Sequence, residues 1–292
     1  MKRLKTIMLY LLALLLTLTM ARYQRKTGPT YPIDGTATIA GERIDYSLKR
    51  SHGGLDDHTV TLNLPEGAEA MLLWKRYMMD EPYHTLPMIP DDEGVYRARL
   101  PHQPPAGKLA YHLLVRGEEE EGWTALPERR DAVIRFKGDV PAAVLAPHIL
   151  MMFLAMFLST RAAIAALAGE KVRTLAWIAF ICLVIGGLFF GPVVQKFAFG
   201  AYWTGWPLGE DYTDNKTAVA VLAWGIALFF LRGERGEKRG RFWAMGAAVV
   251  LLAMYMIPHS LGGSTYNYET GEVATGGNPF GASEYEEVEG GE

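Results

Sequence analysis

One cysteine, Cys182, stands in 292 residues. A single thiol excludes an intramolecular disulfide, so an exported domain of this chain must stand on its hydrophobic core. Cys182 lies inside an apolar run and reads as a small buried apolar residue. The sequence has no HxH or CxxC spacing and no calcium-loop pattern. No catalytic signature stands out, and a Ser–His–Asp set is defined by geometry rather than by order along a chain. The chain reads as non-catalytic. The formal net charge is −3, which leaves no cationic excess for nucleic acid. No lysine or arginine follows Arg241.

The apolar residues are unevenly spread. Residues 142–261 are mostly apolar, with charge gathered in short links. A membrane-crossing helix needs about 20 apolar residues. Ile7 to Ala21, preceded by Lys2, Arg3 and Lys5, reads as a signal anchor, with a cleaved signal peptide as the alternative. Four further runs follow: Ala143 to Leu167, Thr174 to Val194, Thr217 to Leu231, and Phe242 to Pro258. Gly186, Gly187, Gly191 and Pro192 interrupt the second of these. Each run is apolar around its circumference, unlike a soluble helix with one apolar stripe.

Basic residues set the expected orientation. Arg161, Lys171 and Arg173 flank one link, and Arg232, Arg235, Lys238, Arg239 and Arg241 another; both are expected in the cytoplasm. The opposite links carry only Lys196 and Lys216. The chain is therefore expected in the cell (inner) membrane as a multi-pass protein in contact with the lipid bilayer. Residues 22–142, the 195–216 loop and the acidic tail are then extracytoplasmic. Arg22, Arg25 and Lys26 oppose this orientation and are outweighed by the downstream links.

Residues 35–137 alternate with a period of two. Ile44, Tyr46 and Leu48, then Val60, Leu62 and Leu64, then Tyr96, Ala98 and Leu100 mark strands with one buried face. AMLLWKRY at 70–77, Leu109 to Arg116, and Ile134 with Phe136 add three more. Turn residues separate them at 41–42, 65–67, 91–94 and 104–107. Short strands at this spacing predict an all-β sandwich. The stretch GVYRARLPHQPPAGKLAYHLLV resembles the late strands of immunoglobulin-like or fibronectin-type-III-like modules. The resemblance covers about a third of the domain and implies a binding or spacer unit rather than an enzyme.

The expected fold is a membrane α-helical bundle, four helices plus the N-terminal anchor or signal segment, with an inserted extracytoplasmic all-β sandwich. The expected domains are 1–27, anchor and linker; 28–141, sandwich; 142–261, four-helix membrane domain; and 262–292, a disordered acidic tail poor in aliphatics.

Candidate sites are few. His148 and His259 sit near one expected membrane face with methionines beside them, a pattern that would suit haem iron or copper. Tyr202, Trp203, Trp206, Asp211, Asp214 and Asn215 form an aromatic and acidic cluster before the fourth run. The bland reading is an interfacial aromatic belt with Thr213 or Asp214 as a helix N-cap; the functional reading is a lid over a pocket shared with both histidines. His52, His58, His84, His102 and His112 are scattered through the β-rich part, His52 in a loop. The expected function is an accessory or interaction subunit that binds a protein partner outside the membrane. A haem or copper redox protein using His148 and His259 is the alternative, and a small transporter component the second.

Overall fold

The computed structural model describes residues 2–233, 236–258 and 264–274. The chain divides into two compact units. One joins residues 1–29 to 140–263; the other joins 30–139 to the C-terminal segment from Ser264.

The second unit is β-rich, with several sheets arranged as a sandwich. Strands β1 (Ile33–Ile39) and β2 (Glu42–Leu48) form an antiparallel hairpin. Its turn is Ala40–Gly41, with φ of 50° and 78°, the left-handed pair that a two-residue hairpin turn requires. β4 (His58–Asn63), β8 (Val95–Leu100) and β7 (Ile89–Pro90) make a three-stranded sheet. The largest sheet has the order β3 (Ser51–Gly53), β11 (Ala132–Lys137), β9 (Lys108–Arg116), β5 (Glu69–Arg76) and β6 (His84–Pro87), and β10 (Thr124–Leu126) also pairs with β9. β3 runs parallel to β11; the other pairs are antiparallel.

One core joins these sheets. Val60, Leu62, Tyr96 and Leu100 meet Leu72, Leu109, Tyr111, Leu113, Ile134 and Phe136, and the hairpin adds Ile39, Ile44 and Leu48. The buried tyrosines keep hydrogen bonds, as low-dielectric packing demands: the Tyr111 hydroxyl donates to Lys49 O at 2.8 Å and that of Tyr96 to Ala68 O at 2.5 Å. The alternation is visible as buried–exposed periodicity in β4 and β8. β9 breaks it, because both of its faces are covered.

The C-terminal segment corrects one expectation. Residues 262–292 read as disordered, yet β12 (Thr265–Tyr266) and β13 (Val273–Ala274) form a hairpin belonging to the β-rich unit. Two tyrosines and backbone hydrogen bonds suffice where aliphatics are lacking. Residues 275–292 lie outside the described residues.

The first unit is helical. It comprises α1 (Lys2–Thr27), α2 (Ala142–Leu167), α3 (Arg173–Leu183), α4 (Gly191–Phe199), α5 (Tyr212–Phe230) and α6 (Gly236–Met256). A π-helical segment, Val184–Phe190, joins α3 to α4 without a break. Among the described residues, three helices are long and apolar enough to cross a membrane: α1, α2 and the continuous run from Arg173 to Phe199. The polar first turns of α5 and α6 shorten their apolar stretches. Alanine lines the helical core, with Ala155, Ala162, Ala165, Ala220 and Ala244 buried around Trp224; small side chains let helix backbones approach closely. α1 packs on α2, burying Ala13 and Thr17 and bringing Tyr10 to 6.1 Å from Phe157 between ring centroids.

Candidate functional site

The aromatic and acidic loop at 200–211 is organised by the start of α5. Asp211 is the N-cap, accepting from Thr213 N at 2.7 Å. This displaces Thr213 and Asp214 from the expected capping role. Asp214 instead reaches back into the loop, where Oδ2 accepts from Thr204 N at 2.6 Å and Gly205 N at 3.0 Å. Asn215 Oδ1 accepts from Trp206 N at 2.6 Å. Gln195 Nε2 donates to the Thr204 hydroxyl at 2.5 Å, tying α4 to the same loop. Gly205 is required by this closeness, since a Cβ there would lie 2.5 Å from Asp214 Cβ. The carboxylates are thus engaged by backbone donors, as acidic groups at a helix N-terminus commonly are. Trp203 Nε1 donates to Trp206 O at 3.1 Å. Tyr202 and Trp206 are exposed.

His148 sits in the second turn of α2, one residue after Pro147. Its Nδ1 donates to Gly186 O at 2.9 Å, inside the π-helical segment. A carbonyl can only accept, so this contact fixes the proton on Nδ1 and leaves Nε2 with its lone pair. Gly186 also permits the close approach of α2, because a Cβ there would lie 2.8 Å from Met151 Cβ. His259 lies outside the described residues, and with it the pairing of the two histidines. No hydrogen bond or ring contact joins His148 to the 200–211 loop among the described residues. Nor, among them, does any group of three His, Cys, Asp or Glu side chains assemble with metal-holding geometry.

The basic residues of the links do more than carry charge. Arg161 is 3% exposed, donates to Glu170 Oε2 at 2.6 Å, and lies 4.6 Å over the Tyr10 ring. Arg241 donates to Gly169 O and Glu170 O, the free carbonyls past the end of α2. Arg173 donates to Gly233 O, and Glu237 accepts from Val172 N and Arg173 N at the start of α3. Lys171, Arg232, Lys238 and Arg239 remain exposed; Arg235 lies outside the described residues. The two lysines of the opposite links also serve helix ends. Lys196 Nζ donates to Gly200 O at 2.6 Å, and buried Lys216 to Ile257 O at 2.7 Å.

In the β-rich unit the fold gathers histidines that are far apart in sequence. His52 lies 5.0 Å from His58 and 5.5 Å from Phe136, and His102 lies 5.8 Å from Phe136, between ring centroids. His58 is 5% exposed; burial, with His52 and Lys49 nearby, pushes its pKa down to about 4. A second cluster holds His112, whose Nδ1 is 2.8 Å from Asp131 Oδ1, while the Tyr83 hydroxyl donates to Asp131 Oδ2 at 2.6 Å. Burial would raise the Asp131 pKa, but the His112 and Tyr83 hydrogen bonds outweigh it and hold the carboxyl below its usual range. His84 stacks on Trp74 at 4.4 Å.

The C-terminal hairpin covers two cations. Lys108 and Arg135 are partners across β9 and β11. Lys108 Nζ donates to Thr265 Oγ1 at 2.5 Å, Arg135 Nη2 to Ser264 O at 2.5 Å, and Tyr266 N to Ala106 O at 3.0 Å. Burial, then the Arg135 charge, pushes the Lys108 pKa down to about 8. Sequence reasoning missed this arrangement, whose one local signal is the pair Tyr266 and Tyr268 in an otherwise polar stretch. The chain matches no family model, no curated protein and no solved structure.

Proposed function

We propose that this chain is a multi-pass membrane protein whose β-rich unit is a non-catalytic recognition module, of immunoglobulin-like or fibronectin-type-III-like kind, displayed on the extracytoplasmic side. One observation carries the reading. The acidic and amide groups before α5 are engaged at the helix end and by loop backbone, Asp211, Asp214 and Asn215 by N–H donors, and Lys216 is held by a carbonyl. The separately cored β-rich unit is the part we assign to partner recognition. α5 and α6 complete a bundle of four crossing helices plus the α1 anchor.

The charge bias supports the sidedness. Lys216 is buried and held by a carbonyl, whereas Lys171, Arg232, Lys238 and Arg239 are exposed. Four exposed cations on those two links, against exposed Lys196 alone on the 195–216 loop, favour the two links in the cytoplasm. The test is photo-crosslinking in native membranes, comparing the full chain with a deletion of residues 35–137 that keeps every helix. The expected result is crosslinks to a distinct membrane or extracytoplasmic protein that vanish with the deletion. Crosslinks unchanged by the deletion, or none to any other protein, would refute the reading.

A further inference from the structure

Among the described residues, the hairpin β1–β2 leaves one edge of the β-rich unit without a strand. In a two-residue hairpin the closing pair, here Ile39 and Glu42, exchanges both of its hydrogen bonds, and the exchange recurs at every second pair. Ala37 with Ile44, Gly35 with Tyr46 and Ile33 with Leu48 follow in that register. The N–H and C=O groups of Asp34, Thr36 and Thr38 therefore point away from β2. Among the described residues no hydrogen bond reaches them. The far side of β2 differs, since it lies beside β4 and carries Arg43 and Asp45. Edges of this kind are usually blunted by lysine, proline or a bulge. β1, with sequence IDGTATI, has neither lysine nor proline.

That sequence is nearly palindromic about Thr36. Laid antiparallel on a second copy of itself, Thr36 faces Thr36, Asp34 faces Thr38, Gly35 faces Ala37, and Ile33 faces Ile39. The register that aligns these side chains also aligns the backbone. The residues whose polar groups point outward, 34, 36 and 38, oppose one another and can exchange every free N–H and C=O. Threonine pairs across strands are favourable, and no like charges are opposed, because the acid at 34 meets a hydroxyl rather than another acid. A strand that complements itself about its own centre is what an isologous two-fold contact requires.

We propose that β1 is a homodimerisation edge, pairing with β1 of a second copy about Thr36 to join two β-rich units in one continuous sheet. This inference does not depend on recognition of a different protein. It is tested on the full chain in nanodiscs, with Cys182→Ser as background. Opposed hydrogen-bonded residues lie about 5.5 Å apart between Cα atoms, within the reach of a disulfide. Thr36→Cys should give a dimer-sized band under mild oxidation, and Asp45→Cys on the far edge should not. Thr36→Pro removes an N–H that the hairpin does not use, so the unit stays folded while the mass falls from dimer to monomer. Thr36→Lys should do the same by charge repulsion, and serves if the proline variant unfolds. A monomeric parent chain, equal crosslinking at Asp45→Cys, or a dimer that persists in both folded Thr36 variants overturns the proposal.

Discussion

Replacing Lys108 by methionine should make the β-rich unit more stable at neutral pH, not less. Lys108 is charged at pH 7 in both folded and unfolded states, but in the folded state it is enclosed by the C-terminal hairpin beside Arg135. Its pKa falls from 10.5 to about 8, which corresponds to about 3 kcal/mol of disfavoured charge. Against this stands the bond to Thr265 Oγ1, worth about 1 kcal/mol. Methionine keeps the apolar stem and removes both terms, so Lys108→Met should gain about 2 kcal/mol at pH 7.

The pH dependence carries the sign. A lysine whose folded pKa is depressed penalises folding wherever both states are charged, and the penalty lifts as pH rises from about 8 towards 10.5. The wild-type chain should gain stability across that range relative to the variant, and the variant's advantage should be gone by about pH 10. The assay is urea unfolding of the full chain in micelles, read by tryptophan fluorescence and extrapolated linearly. A variant less stable at neutral pH, with a gap that does not move with pH, would show that Lys108 is not enclosed by residues 264–274.

His58 is folded with a pKa of about 4 against an ordinary 6.5, so stability present above 6.5 should be lost as pH falls towards 4, by about 3 kcal/mol in all; His58→Leu should flatten that part of the urea-midpoint profile. At Gly35 a Cβ would lie 2.3 Å from the Tyr46 ring. Gly35→Ala should therefore cost about 1–2 kcal/mol, and in a double-mutant cycle the cost should disappear in the Tyr46→Ala background. Asp214→Ala strands the buried N–H groups of Thr204 and Gly205, at about 2–4 kcal/mol; hydrogen exchange at those two amides should rise while the middle of α5 stays protected.

What the sequence revealed follows the range of the interactions. β4 and β8 were legible because each exposes one face, so Val60, Leu62, Tyr96 and Leu100 stand out every second residue. β1 was not, because Gly35 and Ala37 face inward yet carry too little apolar surface to register. β9 was found, but His112 looked exposed; residues far along the chain, Tyr83 and Asp131, enclose it. The grouping of His52, His58 and His102 around Phe136 needs the parallel pairing of β3 with β11, which no local pattern announces. In the helical unit, length and hydropathy gave the segments. They did not give the partners of Arg161, Arg241 and Glu237, because helix ends from different parts of the chain meet only after packing. The acidic residues before α5 suggested a ligand site or a cap, and sequence spacing alone does not distinguish Asp211 from Asp214 as the cap.

The hairpin at 264–274 changes what the β-rich unit is. A module inserted between two membrane segments would be complete by residue 139; here its last piece follows α6. Until that piece is made, Lys108 and Arg135 lie side by side across two strands without Thr265 Oγ1 or Ser264 O to accept from them. Two cations in that state are stable in water and unfavourable under cover, so docking must supply acceptors at the moment it removes solvent. At Lys108 the segment does so with a hydroxyl, and burial beside the Arg135 charge keeps that lysine's pKa depressed. At that lysine the closure is weaker than an ion pair would make it. Its strength should vary with the charge on one lysine, which makes this hairpin the part of the unit most readily opened without disturbing the core around Tyr111 and Phe136.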